Sequence, residues 1–257
     1  MTRIGVVLRP EIAPEALVDA ARAADAAGVD EVWLWEDCFF SGGLSTAALI
    51  LASTDRVNVG IGVLPTPMRN VASTAMEIAT VARVHPGRLR VGLGHGVQSW
   101  MAQIGARVQS PLTLLSEQMA ALTSLLAGET VTVQGRYVSL DEVKLNWPPV
   151  QPPPLLVGAT GPKTLALSGR CSAGTILTSE TSPEQLRAAI EHIDGGPDHD
   201  VVVYVSVGSD PAAAPSDIQR WIDAGATTVV LEPSADEAAP TRLFAHAASS
   251  TAHFSSQ

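Results

Sequence analysis

Val57–Gly96 reads VNVGIGVLPTPMRNVASTAMEIATVARVHPGRLRVGLGHG. It opens with Val57–Val63, a run of strand length rich in β-branched residues. Val71–Val84 follows with the spacing of a helix, and Leu89–Leu93 is a second strand-length apolar run. That run passes straight into Gly92-Leu93-Gly94-His95-Gly96. Near-continuous apolar strands separated by a helix are what a parallel sheet buried on both faces requires.

The same unit recurs in both directions. Toward the N-terminus, Ile4–Leu8 is a strand ended by Arg9-Pro10. Leu17, Ala20, Ala21, Ala24 and Ala27 then mark a helix closed by Gly28. Val32–Trp35 is the second strand, with a helix near Ser45–Ala52. Toward the C-terminus, Ser110-Pro111 opens a helix to about Ala127. Thr130–Leu140 is a hairpin turning at Gln134-Gly135. Leu155–Val157 follows, with a helix after Gly161-Pro162, and then Thr175–Thr178, Val201–Val207 and Thr228–Leu231. Ser182–Gln185 and Ser216–Gln219 both have the Ser-x-x-Gln pattern of a capping box. About eight such units in 257 residues predict a single-domain (β/α)8 barrel of the TIM type over residues 1–248. The rival with the same alternation is an open doubly wound sheet. The last helix is predicted to end near Ala248, leaving 249–257 as a frayed tail.

Composition narrows the function. Hydrophobic residues make up 46% of the chain and charged residues 16%, enough for one large core. The net charge of -10, with no basic run against it, argues against nucleic acid or an anionic membrane as partner. No apolar stretch reaches transmembrane length. Cys38 and Cys171 stand apart, and Met1–Ala20 lacks a secretory pattern, so a reduced, cytoplasmic protein is expected. The six histidines show no ligand spacing, so no metal site is expected.

Three glycine clusters have the right position for chemistry. A Rossmann fingerprint at Gly92-Leu93-Gly94-His95-Gly96 would need glycine where Val97 stands, so that reading fails. A phosphate loop at Gly158–Thr164 fails on spacing. Both still lie between a strand end and a helix start, the active face of a barrel, where free N–H groups hold an anion or meet a flat ring. Ordinary tight turns would use the same glycines. Gly60-Ile61-Gly62-Val63-Leu64-Pro65 fits either a bulge approached by a ligand or small-residue packing in the barrel. Glu36-Asp37 at a strand end is either an acid pair sharing a proton or a helix cap. His95 points toward the mouth.

Together these stretches resemble the luciferase-like flavin- and deazaflavin-dependent oxidoreductases. The resemblance lies in Gly28–Asp37, Val57–Val63, His85–Gly96, Leu126–Val131 with Gly135–Tyr137, Pro154–Pro162, Ala173–Leu177 and Ala224–Ala226. It spans nearly the whole chain, and it implies a (β/α)8 barrel using coenzyme F420 or, alternatively, FMN. It places a bulge with a non-proline cis peptide at Gly62–Val63, with Leu64, behind the ring. A side chain on Gly62 would then project against the ring. Glu36 and Asp37 would lie near the reactive face. Gly94, His95, Gly96 and Val97 would follow the coenzyme's side chain, and Ala159, Thr160, Gly161 and Pro162 would meet its phosphate. Sugar-phosphate dehydrogenases of this kind carry a histidine in the segment matching Glu36–Cys38 and a glutamate at the place of Val97. Neither is present here, which argues against sugar-phosphate oxidation.

The resemblance implies an F420H2-dependent reductase passing hydride to an electron-poor C=C or C=N, with Glu36, Asp37 or His95 as the proton donor. The rivals are an FMN-dependent monooxygenase and a coenzyme-binding barrel without catalysis. The short Asp194–Asp200 link stands where relatives insert extra elements. This predicts an open mouth and a medium-to-large substrate, such as a modified peptide, against Trp100 and Met101. Packing of both in the core is the alternative for those two residues. Such relatives often pair, which allows a homodimer.

Overall fold

The computed structural model describes residues 2–207, 214–233 and 240–255. The first half runs β1 (Arg3–Val7), α1 (Pro14–Ala27), β2 (Glu31–Leu34), α2 (Gly43–Ser53), β3 (Asn58–Pro65), a 3-10 turn (Thr66–Met68), α3 (Val71–Val84) and β4 (Leu89–Gly94). Then come α4 (Gln98–Gln103), α5 (Pro111–Leu126), the hairpin strands β5 (Val131–Gln134) and β6 (Ser139–Val143), and β7 (Leu155–Gly158). The chain continues through α6 (Pro162–Cys171), β8 (Gly174–Leu177), α7 (Pro183–Ile193), β9 (Asp200–Ser206), α8 (Ala214–Asp223), β10 (Thr228–Glu232) and α9 (Thr241–Ser255). Among the described residues, eight strands close in the order β1-β10-β9-β8-β7-β4-β3-β2, all parallel. Because β1 pairs with both β2 and β10, the sheet is a barrel and not an open doubly wound sheet.

Alternation along each strand sends one set of side chains to the helices and the other into the lumen. Val7, Trp33, Leu156, Ile176, Val202, Tyr204 and Val230 fill the lumen, with Trp35 and Val63 packed on them. Trp33 is fully buried. A Cβ at Gly5 or Gly60 would lie 2.7 or 2.3 Å from its ring. Packing therefore accounts for Gly60, since only glycine leaves room for the indole.

The N-terminal end of the lumen is closed by charge. The Arg90 guanidinium donates to both Glu31 oxygens, at 3.1 and 2.9 Å, and pairs with Asp200. Arg3 also pairs with Asp200, and its Nε lies 3.3 Å from Glu31. The Arg90 guanidinium sits 5.0 Å above the Trp33 ring. Pairing of this quality offsets the desolvation of buried charges.

Several expectations shift. α2 begins at Gly43, before Ser45, because the Glu36 carboxylate accepts the Gly43 N–H at 2.9 Å. α4 was not read from the sequence, since six residues are too few to show a period. The Ser182 capping box forms: its Oγ accepts the Gln185 N–H, and Gln185 Oε1 accepts the Ser182 N–H. The Ser216 box does not open a helix, because α8 already starts at Ala214. α9 runs to Ser255, past the expected end near Ala248. Residues 256–257 of the expected tail lie outside the described residues. The short link between α7 and β9 joins a helix to the start of a strand, and Asp200 belongs to the charged cluster. It lies at the end of the barrel opposite the mouth, so its shortness cannot widen the mouth. The expected large substrate loses its basis.

Among the described residues no helix is long and apolar enough to cross a membrane.

Candidate active site

β2 delivers Trp35, Glu36 and Asp37 to the C-terminal mouth. Period two puts Trp33 and Trp35 on the lumen side, and the Trp35 Nε1–H donates to Asp37 Oδ2 at 2.8 Å. Arg9, just past β1, reaches Glu232 at the end of β10 with Nη1 at 3.2 Å. Its Nη2 lies 2.9 Å from Glu11, and the guanidinium stands 5.9 Å over the Trp35 ring. Burial raises the Asp37 pKa above the ordinary 3.8; the Trp35 hydrogen bond and Arg9 oppose the rise, and Glu11 adds to it.

Glu36 is placed differently. Its carboxylate is 7% exposed and takes both arms of the Arg69 guanidinium, at 3.0 and 2.6 Å, besides the Gly43 N–H. The expected pair sharing one proton is therefore not formed. Glu36 is committed to Arg69 and to capping α2, and the Asp37 shift comes first from burial. The Glu36 backbone N–H donates to the Val63 carbonyl at 3.2 Å, which ties this segment to β3.

The β3–β4 register slips between Ile61 and Leu64, and Gly62–Val63 is a non-proline cis peptide. The bulge falls where the sequence places it. The Val63 side chain lies against the glycine positions of the neighbouring strands. A Cβ at Gly92, Gly94 or Gly158 would stand 3.1, 2.6 or 2.7 Å from it. These glycines make room for a valine, so Gly94 serves packing before any ligand. A Cβ on Gly62 would lie 2.2 Å from the Tyr204 hydroxyl; it would meet this side chain of the barrel before the ring that the resemblance implies. Leu64 is fully buried, against the place of a Gly43 Cβ, so its side chain meets no ligand. Gly62→Leu is expected to destabilise the fold by about 1–3 kcal/mol through overpacking. A melting temperature equal to wild type would show that Tyr204 yields freely.

Across the mouth, His95 Nε2 lies 3.1 Å from the Thr164 hydroxyl of α6. Its buried Nδ1 has no hydrogen-bond partner. Burial lowers the His95 pKa below the ordinary 6.5, partly opposed by the Pro111 backbone. The unfolded chain therefore takes up this proton more readily than the folded one. The stability held through neutral His95 is present above about pH 6.5 and fades as pH falls from there. In His95→Ala the loss of melting temperature between pH 7.5 and 5.5 is expected to shrink, and an unchanged slope would remove His95 as a source of it.

The α6 N-terminus carries no side-chain cap, and nothing lies within 4 Å of a Cβ on Gly161. Thr160 and Pro162 are exposed and border a cavity of about 360 Å³ with Glu180 and His192. Ala159 is buried, and its N–H donates to Ile176, so it serves the core. Gly96 turns the chain at φ +68°, and Val97 is exposed. Met101 is fully buried beneath Gly96, 3.0 Å from where its Cβ would be. It cannot wall a substrate, whereas Trp100 is half-buried.

The sequence pattern of the luciferase-like monooxygenase family matches residues 1–256. The chain belongs to that family.

Relatives of this luciferase-like barrel include the 5,10-methylenetetrahydromethanopterin reductase of Methanolobus tindarius. It is 32% identical over 225 residues, covering 82% of this chain and 68% of that protein. The F420-dependent glucose-6-phosphate dehydrogenase of Kineococcus radiotolerans is 30% identical over 234 residues, covering 82% and 69%. Among solved structures, the coenzyme F420-dependent tetrahydromethanopterin reductase of Methanopyrus kandleri superposes with a TM-score of 0.84 at 16% identity. That match covers 95% of this chain and 97% of that one. Monooxygenase RslO1 from Streptomyces bottropensis gives 0.83 at 16% identity, covering 98% of each. These likenesses establish the luciferase-like fold.

The luciferase-like mouth thus gathers Asp37, the Gly62–Val63 bulge, His95 and the Thr160–Pro162 turn. Sequence reasoning missed Arg9, Trp35, Arg69 and Tyr204. In sequence Arg9 reads only as the end of a strand, although a residue just beyond a barrel strand lies at the mouth. Trp35 and Asp37 stand two apart on extended chain, which already predicts a shared side.

Proposed function

We propose that this chain is a coenzyme F420-dependent oxidoreductase, acting as an F420H2-dependent reductase of an electron-poor C=C or C=N. The observation that carries the reading is Asp37: a half-buried carboxyl with a raised pKa, held by Trp35 at the mouth on a segment hydrogen-bonded to the bulge. Relatives named as F420-dependent enzymes support the choice of coenzyme.

The residues present fit such a group. Gly62 and Val63 are partly exposed between buried Ile61 and Leu64, so the bulge offers backbone to a flat ring. The uncapped α6 N-terminus beside the open Gly161 suits a phosphate. His95, through its contact with the Thr164 hydroxyl of α6, would hold that N-terminus in place.

When bound, the reduced coenzyme supplies a hydride. The Asp37 carboxyl gives a proton to the substrate atom next to the one that receives the hydride, so the double bond gains two hydrogens. Asp37 is left as a carboxylate facing the Trp35 N–H and Arg9, and it recovers its proton from solvent. Glu36 and Arg69 hold the segment in place.

Titration of the purified protein with F420 and with FMN, followed by F420H2 oxidation in the presence of an activated enone, tests the reading. Micromolar F420 binding and enone reduction are expected. Tight FMN binding with no affinity for F420 would favour a monooxygenase instead, and F420 binding without turnover a non-catalytic barrel. His95→Ala is expected to weaken F420 binding a few fold, because the contact that steadies the α6 N-terminus through Thr164 is lost.

A further inference from the structure

Tyr204 lies on β9, which stands four places from β3 in the closed eight-strand order and so directly across the lumen from it. Its side chain crosses that space. The hydroxyl donates to the Gly62 carbonyl at 3.2 Å, and the ring packs edge-on to Trp33 at 6.1 Å and tilted to Trp35 at 5.9 Å. The two indoles hold the phenol ring from the β2 side, so its hydroxyl has little freedom to leave the bulge. Gly62 has no side chain, and a Cβ there would occupy the place of the Tyr204 oxygen. The fit between a glycine on one wall and a tyrosine from the opposite wall is specific to these two positions.

We propose that the Tyr204 hydroxyl is a positioning group that sets the Gly62–Val63 bulge from across the barrel, and through it the seat of the coenzyme ring. Burial drives the Tyr204 pKa far upward, so the hydroxyl remains a donor throughout the working pH range. The carbonyl it holds belongs to the peptide between Gly62 and Val63, whose far side carries the Val63 side chain locked among Gly92, Gly94 and Gly158. The peptide is thus gripped at its oxygen by Tyr204 and at its side chain by three strand glycines. Releasing the oxygen leaves the plane of the peptide free to tilt, while the valine still anchors the strand. The inference rests on the function proposed above only for the identity of the ring.

Tyr204→Phe tests it, because the ring contacts with Trp33 and Trp35 are kept and the donor alone is lost. F420 affinity is expected to fall about tenfold, the scale of one lost buried hydrogen bond, with the Val63 backbone amide resonance displaced in the free protein. A merely structural tyrosine would lower the melting temperature yet leave the affinity of the folded protein at wild type. Wild-type affinity together with an unmoved Val63 resonance would overturn the proposal. Should wild-type protein bind no F420, the functional reading fails by itself, and the Val63 resonance in Tyr204→Phe still decides whether the hydroxyl sets the bulge.

Discussion

Asp37→Asn is expected to slow turnover about a hundredfold or more, the usual weight of a general acid, while F420 affinity stays within a few fold. The amide keeps the size and accepts the Trp35 N–H as the carboxylate does, so the loss isolates proton supply. The pH profile carries the same signature. Asp37 must be protonated to act, so activity falls as pH rises through its folded pKa, and burial moves that fall upward from the ordinary carboxylate range. Trp35→Phe removes a hydrogen bond that favours the charged form, so the falling limb is expected at still higher pH. Arg9 and Glu11 after β1 also act on this carboxyl, Arg9 being paired with Glu232, and they stay constant in that comparison. Full activity of Asp37→Asn would mean that water or the substrate supplies the proton.

Arg69→Met should show the largest loss of stability. It leaves the Glu36 carboxylate buried beside the Gly43 N–H alone, and removing one partner of a buried ion pair costs about 3–5 kcal/mol. For a chain of this size the melting temperature should drop by roughly 10 °C. The double variant Glu36→Gln, Arg69→Met removes the stranded charge and should recover a good part of that loss. If Arg69→Met melts within about 2 °C of wild type, Glu36 has found another partner, and its assignment as a scaffold residue is wrong.

The fold was legible because its strands are short apolar runs separated by helices with clear ends. α3 matches at both ends, Val71 and Val84, and Gly28 caps α1 in the left-handed conformation. The bulge was legible through resemblance. Illegible were contacts made across the lumen, since no local pattern says that Tyr204 will meet Gly62, 142 positions away. Glycine was the most misleading residue. Gly60, Gly92 and Gly94 look like ligand loops in sequence, yet they give way to Trp33, Val63 and Ile176. The Asp194–Asp200 link was misread for a simpler reason: chain direction alone puts a helix-to-strand turn at the end opposite the mouth.

The packed lumen, from Tyr204 and Trp33 down to the charged cluster of Arg3, Glu31, Arg90 and Asp200, gives the mouth a closed floor. Whatever settles against the bulge has a single door, and traffic through it must queue. A molecule lying deeper has to arrive first and depart last, so two ligands sharing this well obey a compulsory order. Steady-state kinetics would then show the outer ligand, at saturating concentration, trapping the inner one.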